Sequence, residues 1–360
     1  MINILALTRY SQVGASSRYR TYQYLPHLAK AGILCTVSPL FDDEYLTIRY
    51  RKGRPGLSPL LRGLARRLLV LRDIARYDLV IIEKELFPYM PFFIEKWLLK
   101  KTKAYTLDFD DALFHIYDTH KNLAVRCLLG DKYSRLMSGA SLITVGNEYI
   151  AKYARQFSSH VQALPTVVDT AKYKTNREPE GLFTVGWIGT PNTQKYLQLI
   201  VEPLRAFFKN RNGRLLLIGA NENFNLEGVP VELARWNELE EIEMLQSIHV
   251  GIMPLPDLPL ERGKSGLKLI QYMACGKPVI ASPVGLNVEL VSNDVGFLAR
   301  TTEEWLISLQ KLAENANLRV EMGKRGRKRV EEGYDLAKWA KNYALMLKGV
   351  VEDKRIIDEP

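Results

Sequence analysis

Cysteine is scarce in this chain: of 360 residues only Cys35, Cys127 and Cys275 are cysteines, far apart and odd in number. No two stand at metal-ligand spacing, which argues against a disulfide framework or a zinc site and suits a reducing cytoplasm. Long apolar runs are missing too. None approaches the roughly 20 residues that a bilayer-spanning helix needs. The opening Met1 to Thr8 is too short for a signal-peptide core, lacks basic leading residues, and reads as a buried first strand. Acidic residues are the minority charge, 40 against 50 lysines and arginines, for a net charge of +10. Such a surplus asks for an anionic partner: nucleic acid, an anionic membrane or a phosphorylated substrate. No recognised nucleic-acid module is present and the aromatics are not interleaved with the basic run, so no nucleic acid is expected.

What is there is ordinary globular material, 47% hydrophobic and 25% charged, long enough for two domains that each bury a core. Strand-like runs at Ile2 to Leu7, Ile33 to Ser38, Leu79 to Glu83, Ala104 to Leu107 and Leu142 to Val145 alternate with helical patterns. That order predicts a parallel, doubly wound α/β sheet. Gly14 lies where the first strand hands over to its helix, the place where such sheets bind ligands, although a simple turn explains a lone glycine equally well. A second start follows at Leu182 to Thr190, with further runs at Leu215 to Ile218, Val229 to Leu233, Val250 to Pro254 and Val279 to Ala281. The expected organisation is two Rossmann-like domains facing across a cleft: residues 1–165, a linker 166–181, residues 182–333, and a final helical segment 334–360.

The chemistry is most explicit between Pro256 and Pro278. A proline-punctuated loop runs into Gly263-Lys264-Ser265-Gly266, then into helix formers, and Gly276-Lys277-Pro278 stops the helix. Leu267, Ile270 and Ala274 would face a core, while Lys264, Lys268 and Gln271 would share another face. Unpaired amides at the helix start near Gly266 offer a seat for a phosphate or diphosphate. Spacing alone is equally that of an amphipathic helix with solvated lysines.

The run KLIQYMACGKPVIASPVG within Gly263 to Gly285 resembles the group 1 glycosyltransferases, also called glycosyltransferase family four, which transfer sugars from nucleotide donors. The resemblance implies the two-domain GT-B architecture, a nucleotide-diphosphate sugar donor, a saccharide or lipid-linked acceptor, no cofactor, no metal, and retention of anomeric configuration. Much of the family carries two glutamates eight positions apart; here the corresponding positions are Gly263 and Gln271. Gln271 can still bond a ribose hydroxyl, whereas Gly263 cannot replace a carboxylate, which leaves Glu261 as a substitute from the loop. The sequence resembles a sub-branch in which Gly-Lys-Ser-Gly takes this place. The resemblance puts Gly189 and Thr190 near the donor phosphates, Lys264, Lys268 and the amides near Gly266 where they neutralise the leaving diphosphate, Trp236 beside the nucleoside base, and Val168-Asp169 at the crossing between domains. It also implies that the last helix returns to the first domain.

Asp108, Asp110 and Asp111 follow a strand-like run, and carboxylates so close repel one another. Asp110 and Asp111 are expected to orient or deprotonate the acceptor hydroxyl, as the matching Asp-Asp-Ala segment implies. Asp108 is expected to cap the next helix. His115, just beyond, either shares the acceptor role or is packed among aromatics. The stretch Arg49 to Arg76 has Arg49, Arg51, Lys52, Arg54, Arg62, Arg66, Arg67, Arg72 and Arg76 against the single acid Asp73. With leucines along one face, it suits either an anionic membrane surface or the outer face of a domain helix. The cluster from Lys324 to Arg329 reads as a solvated helix face. The expected protein is thus a cytoplasmic glycosyltransferase that could lie on the inner face of the membrane, with a nucleotide-sugar epimerase of the same fold or a non-enzymatic nucleic-acid-binding protein as the alternatives.

Overall fold

A computed structural model describes residues 1–53, 56–176, 178–209 and 211–358, so Arg54, Pro55, Arg177, Asn210, Glu359 and Pro360 lie outside the described residues. The chain divides into two compact units: Met1–Thr166 with Arg262–Ser265 and Leu336–Pro360, and Val167–Glu261 with Gly266–Asp335.

The first unit is built on a six-stranded sheet: β1 (Ile2–Tyr10), β2 (Ile33–Phe41), β3 (Leu79–Glu83), β4 (Tyr105–Phe109), β5 (Leu142–Val145) and β6 (Val161–Ala163), in the order β2-β1-β3-β4-β5-β6. Every pairing is parallel, with Ile4 opposite Leu79 and Thr106 opposite Leu142. Such a sheet must be covered on both faces, which is why β3 and β5 are buried at every residue. Leu5, Leu7, Val80, Ile82, Leu107 and Ile143 form one core face. The final helix, Leu336–Asp358, packs within this unit, where Tyr343 meets Tyr24 edge to face with ring centroids 5.2 Å apart.

The second unit repeats the plan with β7 (Phe183–Ile188), β8 (Gly213–Ile218), β9 (Val231–Ala234), β10 (Val250–Met253), β11 (Val279–Ala281) and β12 (Gly296–Leu298). Their order is β12-β11-β10-β7-β8-β9, again all parallel. Val185, Trp187, Leu215, Leu217 and Ile252 pack against helices carrying Leu204, Phe207, Trp305 and Leu309. The two doubly wound sheets expected from the alternation are present. In each, strand order reverses beside the first strand, between β1 and β3 and between β7 and β10, and ligands of open parallel sheets bind outside the carboxyl ends at such a point.

Two expectations about the basic segments need correction. Arg67, on the helix Leu57–Leu71, is fully buried and donates to the carbonyls of Thr8, Ser38 and Leu86. In the second cluster, Arg327 and Arg329 are latches: Arg327 reaches the carbonyls of Thr170 and Ala274, Arg329 that of Leu290. Both cases follow from the length of arginine, which carries five donors far enough to reach several backbone oxygens.

Candidate functional site

Within the first unit, three strand ends converge. The helix after β1, Ala15–Arg20, supplies Ser16 and Ser17, β3 ends in Glu83 and continues into Lys84 and Glu85, and β4 runs into Asp110 and Asp111. Ser16 Oγ donates to Glu83 at 2.9 Å or Asp110 at 2.7 Å and accepts from Lys84 Nζ at 2.8 Å. Ser17 Oγ donates to the other Glu83 oxygen at 2.6 Å and accepts from the Tyr10 amide. Lys84 Nζ lies 2.8 Å from Asp110 Oδ1, and its backbone takes the left-handed conformation, φ 69°, which costs a non-glycine residue about 1–3 kcal/mol. Ion pairing with a buried carboxylate offsets that cost.

The three aspartates separate by partner. Asp108 is not a helix cap: it sits inside β4, holds Arg20 through two hydrogen bonds of 2.9 and 2.5 Å, and accepts from Thr144. The following helix, His115–Asp118, starts at Phe114 with no side-chain cap. Asp110 belongs to Lys84. Asp111, its side chain 29% exposed, pairs with Lys264 at 3.4 Å. Burial pushes the Asp110 carboxyl up, but Lys84 and then Arg20 outweigh it and hold Asp110 below the usual carboxylate range. Burial also pushes Asp111 up, and there it wins over Lys264, with Asp110 adding repulsion. Two adjacent carboxylates thus titrate apart, the more exposed being the weaker acid, as suits a base.

The Gly-Lys-Ser-Gly loop joins this group. Asn147 Nδ2 donates to the Gly263 carbonyl at 2.8 Å and the Lys264 carbonyl at 3.2 Å, Ser265 Oγ donates to the Asp110 carbonyl, and Gly263 lies against Ala112 where a Cβ would overlap it. Lys264 therefore stands in a loop beside Asp111 and shares no helix face with Lys268. The helix begins only at Leu267, because Gly266 turns left-handed at φ 67°. His115 is packed: its ring lies 4.5 Å from Phe114 and its nitrogens meet Asp118 at 3.0 Å and Tyr149 at 2.8 Å. Gly14 sits at the start of the helix Ala15–Arg20, tight against Tyr10.

In the second unit, β7 ends at Ile188 and Gly189 follows, its amide donating to the Ile218 carbonyl. Lys268 Nζ lies 4.1 Å from the centre of the Trp187 ring and would come within 2.8 Å of a Cβ on Gly189. Only glycine leaves that approach open. Thr190 starts the next turn, accepting from Thr193. No side chain caps the helix Leu267–Ala274 at Gly266, where a Cβ would overlap Leu290. Its first-turn amides are thus not satisfied by an N-cap side chain.

Trp236 and Gln271 meet through a residue the sequence did not single out. Glu241, buried, accepts from Trp236 Nε1 at 2.6 Å, Tyr173 Oη at 2.5 Å and Gln271 Nε2 at 2.8 Å. Gln271 is thereby fixed in place. Glu261 is buried as well and accepts from Tyr196 Oη. Ser16, Glu83, Lys84 and Glu241 are what sequence reasoning missed. For Glu83-Lys84-Glu85 the available signal was charge appearing abruptly at the end of an apolar strand; for Glu241, one acid among several around the start of the helix Glu241–Gln246, there was none.

Fold and site together define a class. Residues 181–315 match the family model described as Glycosyl transferases group 1. No curated protein sequence matches the chain. Among solved structures, sucrose-phosphate synthase from Thermosynechococcus elongatus is similar over 98% of this chain and 100% of its own, at 14% identity and a TM-score of 0.72. Anabaena HepE, in complex with UDP-glucose, is similar over 97% of this chain and 100% of its own, at 14% identity and a TM-score of 0.72. A glycosyltransferase from Rickettsia africae covers 97% of this chain and 98% of its own, at 13% identity and a TM-score of 0.68. The two parallel sheets are the GT-B architecture, the class of two-domain sugar transferases. Within that class, the match to group 1 glycosyltransferases spans residues 181–315 of the second unit.

Proposed function

We propose that this enzyme moves a sugar from a nucleotide-diphosphate donor to a saccharide or lipid-linked acceptor, with retention at the anomeric carbon, in cell-surface polysaccharide or glycolipid assembly. The observation that carries the proposal is the Lys268 ammonium held between Trp187 and Gly189 on the helix that starts, uncapped, at Gly266. A diphosphate leaving group gains most where a cation and oriented amides already point at its developing charge. HepE is described with UDP and with UDP-glucose, which makes uridine nucleotides the first donors to try. Trp236, fixed by Glu241, offers an aromatic face to the base. Asp111 takes the acceptor proton, while Asp110, neutralised by Lys84, orients it. Lys264 tunes Asp111 from 3.4 Å.

Membrane association fits the surface of the helix Leu57–Leu71. Leu57, Leu61, Leu68 and Leu69 are exposed beside Arg62, and Phe93 and Trp97 are exposed elsewhere on the same unit. Among the described residues no helix is long and apolar enough to cross a membrane. Co-sedimentation with vesicles containing phosphatidylglycerol, lost at high salt, is the expected behaviour. For the activity itself, the chain is assayed with a panel of UDP-sugars with and without membrane-lipid extract as acceptor. Acceptor-dependent UDP release, with the product linkage of the donor's anomeric configuration by NMR, is the expected result. Interconversion of the donor without any acceptor would instead make the enzyme an epimerase.

A further inference from the structure

A second cluster of charge lies in the second unit at the opposite edge of its sheet. Lys277 and Pro278 directly precede β11, and His249 directly precedes β10, so the cavity they line, about 290 Å³, opens at the amino ends of the strands. Among the described residues four cations, Lys277, Arg319, Lys324 and Arg327, line it against one carboxylate, Glu178.

Three of the four are already engaged. Arg319 pairs with Glu178 and donates to the carbonyls of Leu312 and Ala313. Arg327 pairs with Glu331 at 2.6 Å and ties the carbonyls of Thr170, Tyr173 and Ala274. Lys324, well exposed, pairs with Glu321 at 2.9 Å. His249 is committed too: its Nδ1 accepts from the Thr184 amide at 3.0 Å, so its Nε2 carries the proton toward the Pro179 carbonyl at 3.1 Å.

Lys277 is different. It is only 4% exposed, lines the cavity, and has no side-chain hydrogen bond or ion pair among the described residues. Its side chain is drawn into the wall of the cavity without a protein partner among those residues, and lysine is among the residue types least often buried that way. Burial pushes it down to about 8, with Cys275 and Glu178 opposing. Methionine would fill the same space without the penalty. A charge kept at such a cost, at the wall of a cavity whose other cations are held rigid, is what a site for an anion requires.

We propose that this cavity binds a small phosphate dianion, as orthophosphate or as a sugar phosphate, with Lys277 as its recognising charge. The site is separate from the diphosphate seat at Gly266, because it lies at the amino rather than the carboxyl ends of the same strands. It gives the second unit a way to sense phosphate that does not depend on the donor.

The test is thermal unfolding of the full chain, wild type, K277M and K277R, titrated with orthophosphate and separately with glucose 1-phosphate, each with UDP absent and saturating. The expected result is a wild-type Tm that rises by a few degrees with one or both anions whether or not UDP is present. K277M should start at a higher Tm and lose at least tenfold in anion affinity, while K277R keeps the response. Which arm saturates at lower concentration distinguishes free phosphate from the ester. Because K277M could fold poorly, acetylation of Lys277 by acetic anhydride in the wild-type chain, followed by peptide mass spectrometry, supplies a second reading: the anion should slow it at least tenfold. A wild-type Tm that ignores both anions, an equal response in K277M, or acetylation unchanged by the anion would overturn the proposal.

Discussion

At the carboxyl edge of the first sheet the charges answer one another: Glu83, Lys84, Ser16 and Asp110 share protons and charge within about 3 Å, leaving Asp111 as the more exposed acid. At the carboxyl edge of the second sheet the fittings are few: two glycines, an aromatic ring and the Lys268 ammonium over it. The contrast matches two kinds of substrate. A neutral hydroxyl needs a base whose proton affinity is set in advance, so the protein supplies both signs of charge and neutralises the one it does not use. A diphosphate brings its own charge, and it is best met by backbone amides and a cation near glycines that let it approach. On the proposed function, one edge is organised around a proton and the other around an anion.

Breaking the first edge at its working group should have the largest effect. Asp111→Asn is expected to lower kcat by about 10²–10⁴, the span of a lost general base, with Tm within a degree or two of wild type; unimpaired turnover would assign the base elsewhere. Lys84→Met attacks the support instead. Removing one partner of a buried ion pair leaves Asp110 uncompensated and should cost about 3–5 kcal/mol in urea unfolding, a loss that a merely decorative pair would not show. Gly266→Ala sharpens the other side. A left-handed φ and overlap with Leu290 predict a loss of about 1–2 kcal/mol, together with weaker nucleotide binding if the helix start is the seat.

The smallest effect concerns pH. As the proposed base, Asp111 must be ionised to act, and its pKa is raised, so turnover should fall as pH drops through a value above the usual aspartate range. Lys264 lowers that pKa, so Lys264→Ala should move the acid limb upward. At Asp110 the shift has the opposite sign, and it is stability that falls on acidification. Its pKa is depressed in the folded chain, so its contribution is present above the unfolded aspartate value of about 3.9 and is lost as pH falls below it. An acid limb that ignores Lys264→Ala would separate Lys264 from Asp111.

The sheets were legible because parallel strands buried on both faces leave continuous apolar runs, such as Leu79 to Glu83. Val161–Ala163 and Gly296–Leu298, three residues each, are too short to show any period. The stretch around Gly266 announced a helix start through its glycines, yet the spacing of Lys264, Lys268 and Gln271 implied one face, and the left-handed turn at Gly266 removed Lys264 from it. Side-chain partnership was the illegible part. Arg20 with Asp108, Ser16 with Asp110 and Trp236 with Glu241 are settled by three-dimensional neighbours, and a lone serine or acid in a sequence carries no mark of them.

The most direct measurement of the central claim is calorimetric titration of UDP into wild-type and Lys268→Met protein, both checked for equal Tm. The account predicts that the substitution weakens binding at least tenfold and makes the enthalpy less favourable. Equal affinity in the two proteins would mean that the diphosphate is not held at the start of the Leu267–Ala274 helix.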